Sequence, residues 1–247
     1  MTVNLALGID IGGTGMKAGI VDLGIGELVT ERERIPTPQP ATPAAMTGVL
    51  ERLVDHFEWT GPIGTAFPAI VKRGVVHSAA NVDHSWLGVD AAALFSESVG
   101  QPVRMLNDAD AAGLAEIGYG AGVDRDGVVL VLTVGTGIGS ALFVDGVLVP
   151  NTELGHLQLD GHTDVEDWAA ASARDRESLG WRDWAPRLDR YLEHVCFLFS
   201  PDLVILGGGA SKRFEKFADL LRPHTEIVAA TLRNRAGIVG AAMAAVG

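Results

Sequence analysis

One structural plan is written twice in this sequence. Residues 5–21, LALGIDIGGTGMKAGIV, pass from an apolar run through glycines and a threonine into a second apolar run, and residues 129–144, VLVLTVGTGIGSALFV, do the same. Short apolar runs bounded by glycine read as buried strands. Each copy is therefore a strand, a Gly/Thr turn and a strand, followed by mixed helices and strands. This organisation predicts an α/β fold in which two α/β domains flank a cleft and ligands sit at strand ends. A chain of 247 residues is long enough for one large or two small domains around a sizeable core.

The rest of the chain fits that frame. GELVTERERIPT reads as a third, partly exposed strand, and TPQPATP as a proline-rich link into the helix PAAMTGVLERLVDHF. PIGTAFPAIV and GVVHSA read as strands, DAAALFSESVG as a helix, and QPVRMLN as a strand feeding the helix DADAAGLAEIGYGAG. After the second copy come two helical stretches, including WRDWAPRLDRYLEHVCFLFS. Then follow the buried strand PDLVILGGG and an apolar terminal helix, AGIVGAAMAAV.

Glycine turns expose backbone N–H groups with no Cβ to hold a phosphate away. In DIGGTG, Gly12, Gly13 and Gly15 give that access, Thr14 adds a hydroxyl and Lys17 a cation, while Asp10 can reach a magnesium ion through its waters. Thr133, Gly135, Thr136, Gly137 and Gly139 offer a second cradle. Gly207, Gly208 and Gly209 offer a third, ahead of Lys212, Arg213 and Lys216. None matches the Walker pattern or a full G-x-G-x-x-G. Singly each is an ordinary hairpin turn, but three at the ends of apolar strands point to phosphate. The three cations read as the start of a helix, where positive charge opposes the macrodipole and asks for a functional reason. A chain of phosphates supplies one, with Arg233 and Arg235 as further members of a basic track.

Asn107 and Asp108 fall at a strand-to-helix switch, where an aspartate is ordinarily a helix cap. Glu153 and His156 in NTELGH, with Glu166 beyond, combine carboxylates and an imidazole. Vicinal sugar hydroxyls, donor and acceptor at once, call for such a set, and a solvated loop is the plainer reading.

Composition narrows the field. The net charge of -12 argues against a broad nucleic-acid or acidic-membrane surface. A single cysteine, Cys196, excludes a disulfide framework and a cysteine-rich zinc site. No apolar run reaches the roughly 20 residues of a membrane span. The opening MTVNLALGID has no basic stretch ahead of a long apolar one, so the expected location is the cytoplasm.

Taken together, LGIDIGGT, TVGTGIGSALFVDGVLV and ELGH resemble the ROK family (repressors, uncharacterised frames and sugar kinases) of the actin-like ATPase superfamily. AANVDHSWLG, EDWAAASARDRESLGWRDW and GGGASKRFEKF further resemble its polyphosphate glucokinase branch. The resemblance implies a duplicated actin-like, ribonuclease H-like fold. Its N-terminal domain would span residues 1–106, with the terminal helix 235–247 packed on it, and its C-terminal domain residues 107–234. It implies transfer of a terminal phosphoryl group from inorganic polyphosphate, with or without ATP as an alternative donor, to the 6-hydroxyl of glucose, with Mg2+ as cofactor and a homodimer as the assembly. Asp108 becomes the catalytic base. Asn81, Asn107, Glu153, His156 and Glu166 become the groups that hold the other hydroxyls, and the first two glycine turns become the phosphate loops. Two departures stand out: LQLDGHTDVED lacks the cysteines that bind zinc in many ROK members, which frees His156 for sugar, and FPAIV (67–71) lacks the usual glycine after proline. An ATP-only hexokinase is the alternative within the family. A sugar-responsive ROK regulator is the alternative outside enzymes. Such regulators carry a DNA-binding module ahead of the sugar domain, whereas here the first turn begins by residue 10.

Overall fold

The computed structural model describes residues 4–80 and 82–246. In chain order its elements are β1 (Leu5–Gly12), β2 (Gly15–Asp22), β3 (Glu27–Leu28), β4 (Glu33–Ile35), α1 (Pro43–His56), β5 (Ile63–Phe67), β6 (Val71–Lys72), β7 (Val75–Val76), α2 (Ala91–Val99), β8 (Val103–Asn107) and α3 (Asp108–Tyr119). Then follow β9 (Val128–Val134), β10 (Ile138–Val144), β11 (Val147–Val149), α4 (Glu166–Ala169), α5 (Ala171–Arg176), α6 (Trp181–Phe199), β12 (Leu203–Gly207), α7 (Gly208–Ser211), β13 (Glu226–Ala229) and α8 (Ala236–Ala244). Short 3-10 turns complete the list. The contacts divide the chain into two compact units, residues 1–115 with 235–247, and residues 116–234.

In the first unit the sheet runs β3-β2-β1-β5-β8, with β4 also paired to β2. β1 and β2 are antiparallel, while β1, β5 and β8 are parallel. Alternation along β1 sends Leu7, Ile9 and Ile11 into a core with Met46, Leu50 and Leu53 of α1 and Phe95 of α2. The opposite side carries glycine. A Cβ on Gly8 would overlap the carbonyl oxygen of Ile238, and one on Gly64 that of Ala241. A Cβ on Gly240 would overlap the carbonyl of Ala111 in α3. The final helix α8 thus lies on the sheet and on α3 at backbone-to-backbone range, sealed by Ala66, Ala111 and Ala241.

The second unit repeats the connectivity. Its order is β11-β10-β9-β12-β13, a meander of three strands followed by two parallel ones, as in β3-β2-β1-β5-β8. The duplication expected from the two glycine-bearing hairpins is present in the order of the five strands, with β4 an addition to the first sheet. Here α6 covers the sheet, burying Trp184, Leu188, Tyr191, Leu192 and Val195 against Leu130, Leu132, Val204 and Leu206.

Four details differ from the sequence reading. β1 continues through Asp10 to Gly12, so the first turn is only Gly13 and Thr14, and Gly12 pairs with Gly15. GELVTERERIPT is two strands: the Thr30 hydroxyl takes the Ile20 N–H at 3.1 Å, interrupting the ladder, and β3 and β4 pair with different parts of β2. PIGTAFPAIV breaks at Pro68, which has no N–H to donate to a ladder, giving β5 and β6. GVVHSA keeps only Val75 and Val76 in a two-stranded ribbon with β6.

Forcing atoms into a well-packed site typically costs about 1–3 kcal/mol, and at Gly64 the obstacle is backbone that cannot rotate away. Gly64→Ala is therefore expected to lower stability by about 3 kcal/mol, read as a fall in the urea midpoint. Gly48, inside α1 with open space around it, is the control: Gly48→Ala is expected to stabilise by about 0.5–1 kcal/mol through helix propensity. Equal losses at both positions would contradict the close-approach account.

Candidate active site

In the first unit three chain segments meet the carboxyl ends of parallel strands, where α/β sheets hold ligands. On β1, Asp10 stands directly opposite Lys17 of β2, and their side chains form an ion pair at 2.8 Å. The start of α8 lies beside this carboxylate, with Gly237 too close to Asp10 for a side chain: a Cβ would come 2.8 Å from Cγ. Beyond Asp10, Gly13 has open space above it. The expected first phosphate loop is therefore a two-residue reverse turn with Asp10 and Lys17 at its base.

At the end of β8, Asn107 is the N-cap of α3. Its Oδ1 accepts the N–H groups of Ala109 at 2.8 Å and Asp110 at 3.1 Å, and its Nδ2 donates to the Ala69 carbonyl at 3.1 Å. Asn107 is buried, and one amide proton is left for any ligand. FPAIV thus supplies, through the backbone of Ala69, a carbonyl that orients the cap. Asp108, the first residue of α3, is exposed, and its Oδ1 also accepts the Ala109 N–H at 2.9 Å. The cap fixes where the Asp108 carboxylate points. Asn81, expected among the sugar ligands, lies outside the described residues.

In the second unit the turn after β9 is fastened from several sides. Gly135 N–H donates to Gly137 O at 2.9 Å, Ser172 N–H donates to Gly135 O at 3.0 Å, and the Ser172 hydroxyl donates to Thr136 O. Thr133 precedes the turn, paired with Gly139 and Gly207. Gly208, at φ 72°, leaves no room for a side chain: a Cβ would meet the Val134 backbone at 2.6–2.8 Å. A Cβ on Gly135 would lie 3.8 Å from Gly209 N. The second and third glycine turns are one neighbourhood.

Glu166, at the start of α4, reaches under the same turn and accepts the Ile138 N–H at 2.8 Å. It fits because Gly137 and Gly155 have no side chains where the carboxylate lies. Glu153 and His156 flank a 3-10 turn, with His156 Nε2 3.9 Å from Glu153 Oε2. Asp164 joins them unexpectedly: its Oδ1 is 2.8 Å from His156 Nδ1. The chain comes back to make this contact through a two-residue reversal at Asp160 and Gly161, both at positive φ, closed by reciprocal bonds between Leu159 and His162. The Asp-Gly pair in LQLDGHTD was the available signal.

The charges tune one another. Burial pushes the Glu153 carboxyl up; the neighbouring His156 pulls it down and Glu166 pushes it further up, for a net rise. Partial burial pulls the His156 imidazole down, but the Asp164 hydrogen bond and the charges of Glu166, Asp164 and Glu153 outweigh it, so its pKa is raised. Carboxylates that accept beside an imidazolium that donates can satisfy a polyhydroxylated ligand on several hydroxyls.

The basic residues are arranged otherwise than expected. Lys212, Arg213 and Lys216 do not begin a helix. Lys212 is the C-cap of the four-residue α7 and Lys216 ends a 3-10 turn, so the dipole argument for a functional cost disappears. All three are exposed. Arg235 is spoken for by Glu27 in the first unit, and Arg233 is exposed. Among the described residues no group of three or more His, Cys, Asp or Glu could hold a metal by itself. A magnesium ion held chiefly by donor phosphates, with Asp10 reaching it through water, fits a site without a cluster of three or more such ligands among the described residues. No helix among the described residues is long and apolar enough to cross a membrane.

Comparison with known proteins follows the same lines. The ROK family model matches residues 6–171. Polyphosphate glucokinase of Mycobacterium leprae is 50% identical over 238 residues, covering 96% of this chain and 73% of that one. The enzyme of the same name from Mycobacterium tuberculosis H37Rv is 49% identical over 240 residues, covering 97% and 90%. Among solved structures, the inorganic polyphosphate/ATP-glucomannokinase of Arthrobacter sp. strain KM superposes with a TM-score of 0.92 at 55% identity, covering 97% of each chain. The ROK glucokinase of Streptomyces griseus in complex with glucose and AMPPNP superposes with a TM-score of 0.82 at 26% identity, covering 99% of this chain and 100% of that one.

The raised His156 pKa has a direct test. Protonated His156 is favoured in the fold, so its contribution to stability is complete below about 6.5, the free value, and fades as pH rises through the folded pKa. In an NMR titration His156 is expected to titrate above 6.5, and Asp164→Asn to lower that value. No change on losing Asp164 would contradict the assignment.

Proposed function

The chain belongs to the ROK family, and we propose that within it this protein is a glucokinase moving a terminal phosphoryl group from inorganic polyphosphate, or from ATP, to the 6-hydroxyl of glucose. The observation that carries the reading is the capped start of α3: Asn107, tied to Ala69, aims an exposed carboxylate from the end of a parallel strand. Named relatives at about 50% identity over nearly the whole chain support the donor and acceptor.

In this mechanism the glucose 6-hydroxyl oxygen attacks the terminal phosphorus, the bond to the bridging oxygen breaks, and the hydroxyl proton passes to Asp108. Phosphoryl transfer has a loose transition state, so positioning and charge neutralisation supply most of the rate. Asp108 therefore acts first by pointing the hydroxyl in line and second by accepting its proton. Glu153, His156 and Glu166 hold the remaining hydroxyls, with Asn107 and Asn81 as further sugar ligands. The backbone N–H groups of the 12–15 turn, with Thr14 and Lys17, and those of the joined 133–137 and 208–209 turns hold donor phosphates. Magnesium, when bound with the donor, neutralises charge on the phosphate oxygens, and Asp10 is the residue that would face it. Lys212, Arg213 and Lys216 give polyphosphate its outer contacts; their exposure and their place after the third turn support this. The reading also takes the protein as a cytoplasmic homodimer, after the habit of its family.

Two substitutions separate the roles. Asp108→Asn is expected to lower kcat by roughly a hundredfold or more, the lower range for loss of a positioned base, with little change in stability. Glu153→Gln is expected to raise the KM for glucose by about five- to 150-fold, corresponding to one lost hydrogen bond of about 1–3 kcal/mol, while leaving the KM for the donor nearly unchanged. Turnover of Asp108→Asn within a few-fold of the parent would remove Asp108 from the mechanism.

A further inference from the structure

The first glycine turn has a second cation that its own sequence does not contain. Arg34 of β4 stands directly opposite Lys17 of β2, and Lys17 stands opposite Asp10 of β1. Residues in register share a face of the sheet, so Asp10, Lys17 and Arg34 form one row of charges across three strands, at the end of β1 that carries the turn. Arg34 Nη2 donates to the Thr14 carbonyl at the tip of the turn at 2.8 Å. The guanidinium lies against Gly15: a Cβ there would come within 2.6–2.7 Å of Nε, Cζ and Nη2. Gly15 thus serves as the floor on which a flat cation rests.

Two features of this arrangement ask for an anion. Like charges placed opposite each other across strands repel, which is a cost to the fold, and the neighbouring carboxylate, Asp10, is already engaged by Lys17. Among the described residues no carboxylate pairs with Arg34, although the chain holds 31 Asp and Glu. The Thr14 bond uses one N–H of a fork that has five, and Arg34 is exposed. A guanidinium presents paired donors that match phosphate oxygens, whereas an ammonium acts as a point charge.

We propose that Arg34 is a binding residue for the phosphate chain of the donor, acting beside Lys17 from above the 12–15 turn. The inference rests on the kinase reading for the name of the ligand, and it adds a strand outside the glycine motifs to the donor site. Because Arg34 also clasps Thr14, a purely structural role must be told apart from a binding one. Arg34→Gln keeps a polar amide without the charge, and the melting temperature and glucose KM of the variants report any structural loss at the turn.

The test measures binding of tripolyphosphate by titration calorimetry without glucose, alongside steady-state kinetics with glucose and either polyphosphate or ATP. Arg34→Gln and Arg34→Ala are both expected to weaken tripolyphosphate about tenfold or more, the range of a lost hydrogen bond to a charged group. Both should raise the donor KM similarly, with the glucose KM and the melting temperature nearly unchanged. Arg34→Lys is expected to fall between them and the parent. Parent-like tripolyphosphate binding by Arg34→Gln would overturn the inference, as would failure of the parent to bind it. A parent that binds tripolyphosphate through Arg34 but phosphorylates no glucose would instead leave the inference standing and remove the glucokinase reading.

Discussion

The first unit is organised by the distance between α8 and the sheet beneath it. The helix can reach β1 and β5 only because Gly8 and Gly64 present bare backbone, and it can cross α3 only because Gly240 does. Dispersion and hydrophobic burial fall away within an ångström of lost contact, so this fit leaves little freedom. The fit also has a chemical result. Where α8 begins, Gly237 stops short of the Asp10 carboxylate, and Asp10, Lys17 and Arg34 emerge as a charged row just past the end of the packed region. The apolar contact and the charged site are two ends of one strand pair.

The second unit uses glycine for a different purpose. Gly137 and Gly155 make space for the Glu166 carboxylate beneath a turn, so an acidic side chain and a glycine turn share one hydrogen bond, from Ile138 to Glu166. A change at Glu166 therefore disturbs the turn as well as any hydroxyl it holds. Glu153 and His156 are freer, each about half or more covered and tuned first by that burial, then by one another, Asp164 and Glu166. In each unit, side chains with chemistry lie where glycine has cleared the backbone around them.

Much of this was legible in the sequence. Two strand-turn-strand motifs with matched glycines announced the duplication, and the order of both sheets repeats it. The switch at Asn107 and Asp108, and the trio Glu153, His156 and Glu166, were visible as polar residues at the ends of apolar segments. Other features depended on tertiary register and were not. Arg34 lies in ERER, whose alternation shows a strand but not which strand it pairs with. Asp164 needed the Asp160–Gly161 reversal to return it to His156. The roles of Gly237 and Gly240 were not legible, since close approach to another backbone leaves no periodic trace. Lys212, Arg213 and Lys216 read as a helix start because LGGGASKRF does not reveal that α7 ends after four residues.

In the function we propose, these features serve transfer of a phosphoryl group onto a sugar hydroxyl, with backbone and cations assigned to the donor and the capped aspartate to the acceptor. The most direct measurement is phosphorus NMR of the purified protein with glucose, magnesium and inorganic polyphosphate as the sole phosphate source. The expected result is growth of a glucose 6-phosphate resonance at the expense of the internal polyphosphate resonance, with end groups held steady because each transfer exposes a new end, and without equivalent release of inorganic phosphate. Release of inorganic phosphate alone, or no change with polyphosphate and none when ATP replaces it, would contradict that function.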